Sequence, residues 1–121
     1  SAVQIGTAYL ATPESSVSAP HRALLGTPVE TIFTTLFSGR EARGIRNRLI
    51  EMLGPTHPAV PPFPHASAAL APLRAAAEAE GRGDYSPMWA GAGVARVRAE
   101  PAQALTERLA AEILALLETA S

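Results

Sequence analysis

The stretch VQIGTAYLAT, residues 3–12, decides how the rest of this 121-residue chain is read. Val3, Ile5 and the ring of Tyr9 alternate with Gln4, Gly6 and Ala8, which suits a strand buried on both faces. Such a strand needs neighbours on each side. Its Gly6-Thr7 pair can present backbone N–H groups and a hydroxyl to a phosphate, because glycine permits close approach. In isolation, a Gly-Thr pair in a strand is more often a packing feature. A core strand three residues into the sequence, with no initiator methionine and no earlier element to pair with, carries the expectation of a larger fold.

Downstream, Thr12-Pro13-Glu14 is a helix-start signal: a hydroxyl N-cap, a proline where its missing N–H is harmless, and a carboxylate in the first turn. Pro20 limits that piece, and a second short helix is expected over residues 21–25, ending at Gly26. TIFTTLF, residues 31–37, is β-branched and aromatic and ends at Ser38-Gly39, so it reads as a strand entering a turn, with residues 43–46 as its return partner. Asn47 then caps a helix through Leu53, closed by Gly54-Pro55. Five prolines, at 55, 58, 61, 62 and 64, make the next stretch an extended linker. Residues 66–80 are alanine-rich and helical, with Pro72 expected to start a second segment and Gly81 to end it. After the glycine-punctuated loop SPMWAGAG, residues 86–93, residues 101–118 form the clearest helix. There Ala102, Leu105, Leu109, Ile113 and Leu116 recur at spacings of three and four.

Composition narrows the function. Apolar residues are 47% and aromatics 5%, so the apolar content is mostly alanine, leucine and valine, which favours helices. All ten basic residues are arginine and the net charge is −1. The arginines cluster once, at Arg40, Arg43, Arg46 and Arg48, with Glu41 and Glu51 beside them. Arg40, Arg43 and Arg46 could bind an anion, but a solvated hairpin with local carboxylate pairs accounts for them better. A nucleic-acid footprint needs a broader basic face and a higher pI than about 6.3. With no cysteine there is no disulfide, thiolate metal site or thiol nucleophile. His21, His57 and His65 lack metal-ligand spacing. No apolar run approaches the ~20 residues that span a bilayer, so the expectation is a cytoplasmic protein without membrane contact.

The loop SPMWAGAG offers Met88 and the only tryptophan, Trp89, as a flat apolar surface between glycines. Taken alone, it reads more simply as a loop anchored by one buried tryptophan. Taken together, VQIGTAYLATPES (residues 3–16), APHRALL (19–25), FSGREARGIRN (37–47), PPFP (61–64) and YSPMWAGAG (85–93) resemble, in order, the C-terminal part of the nitronate monooxygenases, FMN enzymes also called 2-nitropropane dioxygenases.

That resemblance implies an α/β fold, the C-terminal part of a TIM (β/α)8 barrel with an inserted small α+β domain. Residues 1–12 would hold the last barrel strand, residues 13–98 the insertion and a loop returning to the flavin, and residues 99–121 the last barrel helix. It implies cofactor contacts to FMN from Gln4, Gly6 and Thr7, and secondary ones from Ser86, Trp89 and Gly91. No catalytic residue falls in this chain, since the family's histidine lies upstream. The implied partners are a small nitronate, O2 and the N-terminal remainder of the barrel, with no metal and no nucleic acid. Ala92 stands where the family usually has glutamine, W-A-G-Q-G, which removes an amide from that loop. Two alternatives stay open at this point: a flavin-dependent enoyl-acyl carrier protein reductase or quinone reductase of the same superfamily, and a cofactor-free helical interaction module.

Overall fold

A computed structural model describes residues 2–120. The fold is α/β, with five helices and one two-stranded antiparallel sheet among those residues: α1 (Thr7–Leu10), α2 (Ala19–Leu24), β1 (Thr31–Thr34), β2 (Ala42–Ile45), α3 (Arg48–Leu53), α4 (Ala66–Ala79) and α5 (Ala102–Thr119). A 3₁₀ turn at Val94–Arg96 precedes α5. No helix among the described residues is long and apolar enough to cross a membrane.

The strand expected over residues 3–10 does not form. Residues 3–6 pair with no other strand among the described residues, and Val3 is 68% exposed. A strand exists only through its ladder, so the alternating pattern has nothing to organise it here. From Gly6 onward the backbone turns on itself, with Tyr9 N and Leu10 N both donating to the Gly6 carbonyl. The helix expected from Thr12 is absent too. The Thr12 hydroxyl donates back to the Tyr9 carbonyl instead of capping forward, and Arg22 donates to the carbonyls of Thr12 and Ser15, holding that loop open. Ser18 does the capping instead: its hydroxyl accepts from His21 N, and Pro20 sits in the first turn of α2, where its missing N–H costs nothing.

The hairpin pairs Thr31 with Ile45 and Thr34 with Ala42. Its first strand stops at Thr34, three residues short of expectation, because the buried Thr34 hydroxyl accepts from Leu36 N and donates to the Pro55 carbonyl. Side-chain bonding of this kind offers the backbone an alternative to the ladder. Gly39 completes the turn at φ +88°, with Phe63 N only 2.4 Å from where a Cβ would stand, so no other residue fits there. Asn47 caps α3 as its sequence requires, accepting from Ile50 N. Pro72 lies inside α4 without dividing it, and the helix runs unbroken through the alanine-rich stretch to Ala79, with Gly81 at φ +73° just beyond its end.

Two apolar clusters carry the packing. Leu36, Phe37, Leu49 and Ile50 form one, with Ile32, Val60, Leu70, Tyr85 and Trp89 against it. Ile45, Met88, Ala90 and Val94 form the other, joined by Leu24, Leu25 and Val29. The loop of residues 86–93 therefore runs between the two, which is what places it beside the hairpin.

Candidate functional site

The loop adds itself to the sheet. Ile45 N donates to the Met88 carbonyl at 2.8 Å, Ala90 N donates to the Arg43 carbonyl at 3.3 Å, and Gly44 and Trp89 form an antiparallel bridge between them. Glycine at position 44 leaves room for the ring, since a Cβ there would stand 3.3 Å from Trp89 Cε3 and 3.4 Å from the Met88 carbonyl oxygen, tight enough that the ring would have to shift by a few tenths of an ångström. The Trp89 ring meets Phe37 edge-on, with centroids 5.8 Å apart at 88°. His21 in α2 places Nε2 3.0 Å from the Trp89 carbonyl. Strand, core and helix thus all hold Trp89, the strand and helix through its backbone and the core through its ring.

The next residue along reaches the N-terminal segment. Gly91 N donates to Thr7 Oγ1 at 2.8 Å, across 84 positions of sequence. Around this bond lies an open cleft of about 900 Å³, lined by Gln4, Gly6 and Thr7 on one side, Trp89 and Gly91 on another, and Glu41 and Arg43 from the hairpin. Five of the six residues implied as cofactor contacts therefore share one cleft. Ser86 does not reach it. That residue is buried; its hydroxyl donates to Glu78 Oε1 at 2.6 Å and its carbonyl accepts from Asn47 Nδ2 at 2.9 Å.

The cleft's donors are unspent. Thr7 Oγ1 accepts from Gly91, so its own proton remains available, and the N–H groups of Gly6 and Thr7 have no acceptor among the described residues. A Cβ at Gly6 would meet nothing within 4 Å, so the backbone there is open to close approach by a ligand. Three such donors beside a flat aromatic wall fit a phosphate attached to a planar ring system. Two hydrogen bonds tie the segment that presents them to the start of α5. Thr106 spends its one proton on the Ala102 carbonyl, so Tyr9 donates its hydroxyl to Thr106 Oγ1 at 2.7 Å, and Glu14 Oε2 accepts from Ala102 N at 2.6 Å.

Two residues of the site were passed over in the sequence. His21 has a partner 68 positions away, and its motif contains no spacing that announces a role. Arg43 read as part of a solvated hairpin, yet alternation along β2 puts it on the same face as Glu41, toward the cleft. Elsewhere, an apolar cavity of about 180 Å³ lies between α3, the proline-rich segment and α4, lined by Leu36, Leu49, Val60 and Leu70 among others. It lacks convergent polar groups. No group of three or more His, Asp or Glu side chains among the described residues is placed to hold a metal ion.

Residues 1–112 match the family model described as nitronate monooxygenase. The chain is 40% identical over 116 residues to the nitronate monooxygenase of Pseudomonas aeruginosa, covering 93% of this chain and 33% of that protein. It is 38% identical over 120 residues to that of Paraburkholderia phytofirmans, covering 97% and 33%. Its fold is similar to a crystal structure of nitroalkane oxidase from Streptomyces ansochromogenes, with a TM-score of 0.86 and 39% identity over 98% of this chain and 34% of that one. The chain thus spans about a third of the length of these relatives. It belongs to the nitronate monooxygenase family.

Proposed function

We propose that, as a member of that family, this chain holds the phosphate end of FMN in an enzyme that oxidises alkyl nitronates. The observation that carries this reading is Thr7: its hydroxyl is oriented by Gly91, and its proton and the N–H groups of Gly6 and Thr7 are left for a ligand beside Trp89. In this reading the architecture is the end of a (β/α)8 barrel. Residues 3–6 are what the turn leaves of the last strand, residues 13–98 are the inserted domain, and α5 is the last barrel helix. An insertion after a barrel strand lies at the C-terminal face, where barrel enzymes keep their sites, and the cleft lies where strand segment and insertion meet.

Bound FMN would supply the redox step, taking an electron from the nitronate with O2 as final acceptor, so that nitrite and a carbonyl compound leave. The residues of this chain bind and orient. Thr7 and the Gly6-Thr7 backbone hold the phosphate, and Trp89, fixed by Gly44, Phe37 and His21, walls the site on its apolar side. Gln4, exposed at the mouth of the cleft, can add an amide hydrogen bond. The base that handles the substrate proton is assigned to the histidine upstream in the family pattern.

Thr7→Val in the full-length protein tests the phosphate role, because it keeps the shape and removes the hydroxyl. FMN affinity, measured by flavin fluorescence titration, is expected to fall about two- to tenfold. Unchanged affinity would take Thr7 out of the site. For the reaction class, O2 uptake and nitrite release are expected with propionate 3-nitronate. A holoprotein that turned over only NADH with a quinone or an enoyl thioester would instead be a reductase.

A further inference from the structure

Among the described residues, Arg43 is the only cation lining the cleft. Its side chain is positioned, not loose: Nη1 donates to Thr31 Oγ1 across the hairpin at 3.1 Å, and Cζ lies 4.1 Å from the centroid of the Phe33 ring. The charge is also uncompensated by contact. Arg46, Arg74, Arg82 and Arg108 each have a carboxylate within ion-pair distance, whereas Arg43 has none among the described residues. Glu41 lines the same cleft but is exposed and makes no such pair. One of the five guanidinium N–H donors goes to Thr31, and those remaining form a planar fork of the kind that matches an oxyanion.

Arg43 is also tied to Thr7 through the loop. Two successive amides join them, Ala90 N donating to the Arg43 carbonyl and Gly91 N to Thr7 Oγ1. Neighbouring Cα atoms stand ~3.8 Å apart, so the loop links strand and turn through two successive residues, and both border the same cleft. The hydroxyl and amide donors of the Gly6-Thr7 turn supply direction but no net charge. A phosphate monoester carries about −1.5 to −2 near neutral pH, which dipoles alone neutralise poorly.

We infer that Arg43 is the cationic member of the phosphate site: together with Thr7 and the Gly6-Thr7 backbone it binds a terminal phosphate monoester, and it sets the preference for FMN over the uncharged riboflavin. The ligand's identity rests on the function proposed above; the anion site itself rests on the hairpin and cleft.

Flavin fluorescence titrations of the full-length protein with FMN and with riboflavin separate the possibilities. Arg43→Gln is expected to weaken FMN binding by about tenfold or more while leaving riboflavin affinity unchanged. Arg43→Lys should recover part of the loss, because it returns the charge without the fork. Glu41→Gln should not weaken FMN binding. If Arg43→Gln does not fold, Arg43→Met keeps the packing on Phe33 and answers the same question. An equal loss for both flavins would mean that Arg43 merely props the cleft, and an unchanged FMN affinity would mean that it plays no part; either result overturns the inference. A wild-type protein that bound neither flavin would sink the proposed function instead, and titration with inorganic phosphate would then decide this one. Phosphate binding lost in Arg43→Gln would uphold the anion site, and no phosphate binding in the wild type would end it.

Discussion

The hydrogen bond from His21 to the Trp89 carbonyl is the smallest unit on which the cleft depends. His21 is 7% exposed, and burial, the larger influence, lowers its pKa from 6.5, while the bond to the Trp89 carbonyl acts in the opposite direction. The neutral ring with its proton on Nε2 makes that bond. Between the folded and unfolded pKa values the unfolded chain binds the extra proton, so stability rises with pH there. The contribution is complete above about pH 6.5 and shrinks as pH falls through the window down to the folded pKa. Thermal unfolding midpoints should therefore fall between about pH 7.5 and about pH 5.5. His21→Gln retains an N–H donor but does not titrate, and it should flatten that slope. A slope equal to wild type would assign the titration to another group. Glu78 and Glu100 have pKa values held below 4.5, chiefly by Ser86 and Arg108, so their contributions are lost only at lower pH. Trp89 drew notice as the lone tryptophan of a glycine-rich loop, but those residues alone favoured a buried anchor, and only the family resemblance set it beside a ligand; His21 was not legible, because no local pattern encodes a partner far along the chain. Ser86 shows the converse, a residue whose motif pointed to the flavin but whose hydroxyl is spent on Glu78.

At the scale of elements, legibility followed the range of the interactions. α3 matched its capping signal from Asn47 to Gly54 because cap, helix and stop are local. The hairpin fell within a few residues of expectation, and α5 within one. Residues 3–10 failed as a strand because pairing is non-local, and Thr12 failed as a cap because its hydroxyl goes to the Tyr9 carbonyl while Arg22 takes the Thr12 carbonyl. Asn47 does more than its sequence revealed. Its Oδ1 caps α3 while its Nδ2 donates to the carbonyls of Gly83 and Ser86, so one buried amide joins the helix to the loop that carries Trp89. Asn47→Ala should cost about 1–3 kcal/mol in urea unfolding, the loss of a cap plus buried carbonyls left without a donor. Asn47→Asp keeps the cap acceptor but faces those carbonyls with a carboxylate. It is expected to rescue little; full rescue would show that only the cap matters.

Across the whole molecule, α5 carries the outstanding question of what its apolar stripe is for. The stripe begins packed, with Leu105 at 2% exposure, and then leaves the body of the fold: Ile113 is 41% exposed and Leu116 69%. Val3, on the segment expected to be a buried strand, is as exposed as Leu116. Burying a leucine side chain is worth about 1.5–3 kcal/mol, so a regular stripe of them left in water works against stability and solubility. The chain spans about a third of its relatives' length, and in the barrel reading the other two thirds cover both surfaces. A single substitution then has opposite signs in two settings. In the 121-residue chain alone, Leu116→Glu should reduce self-association and binding of a hydrophobic dye, because the stripe is exposed there. In the full-length protein it should lower the unfolding midpoint, because the glutamate would be forced into a packed interface without a partner. An improvement in both settings would leave α5 outside any interface and remove the barrel as the reason for its apolar face.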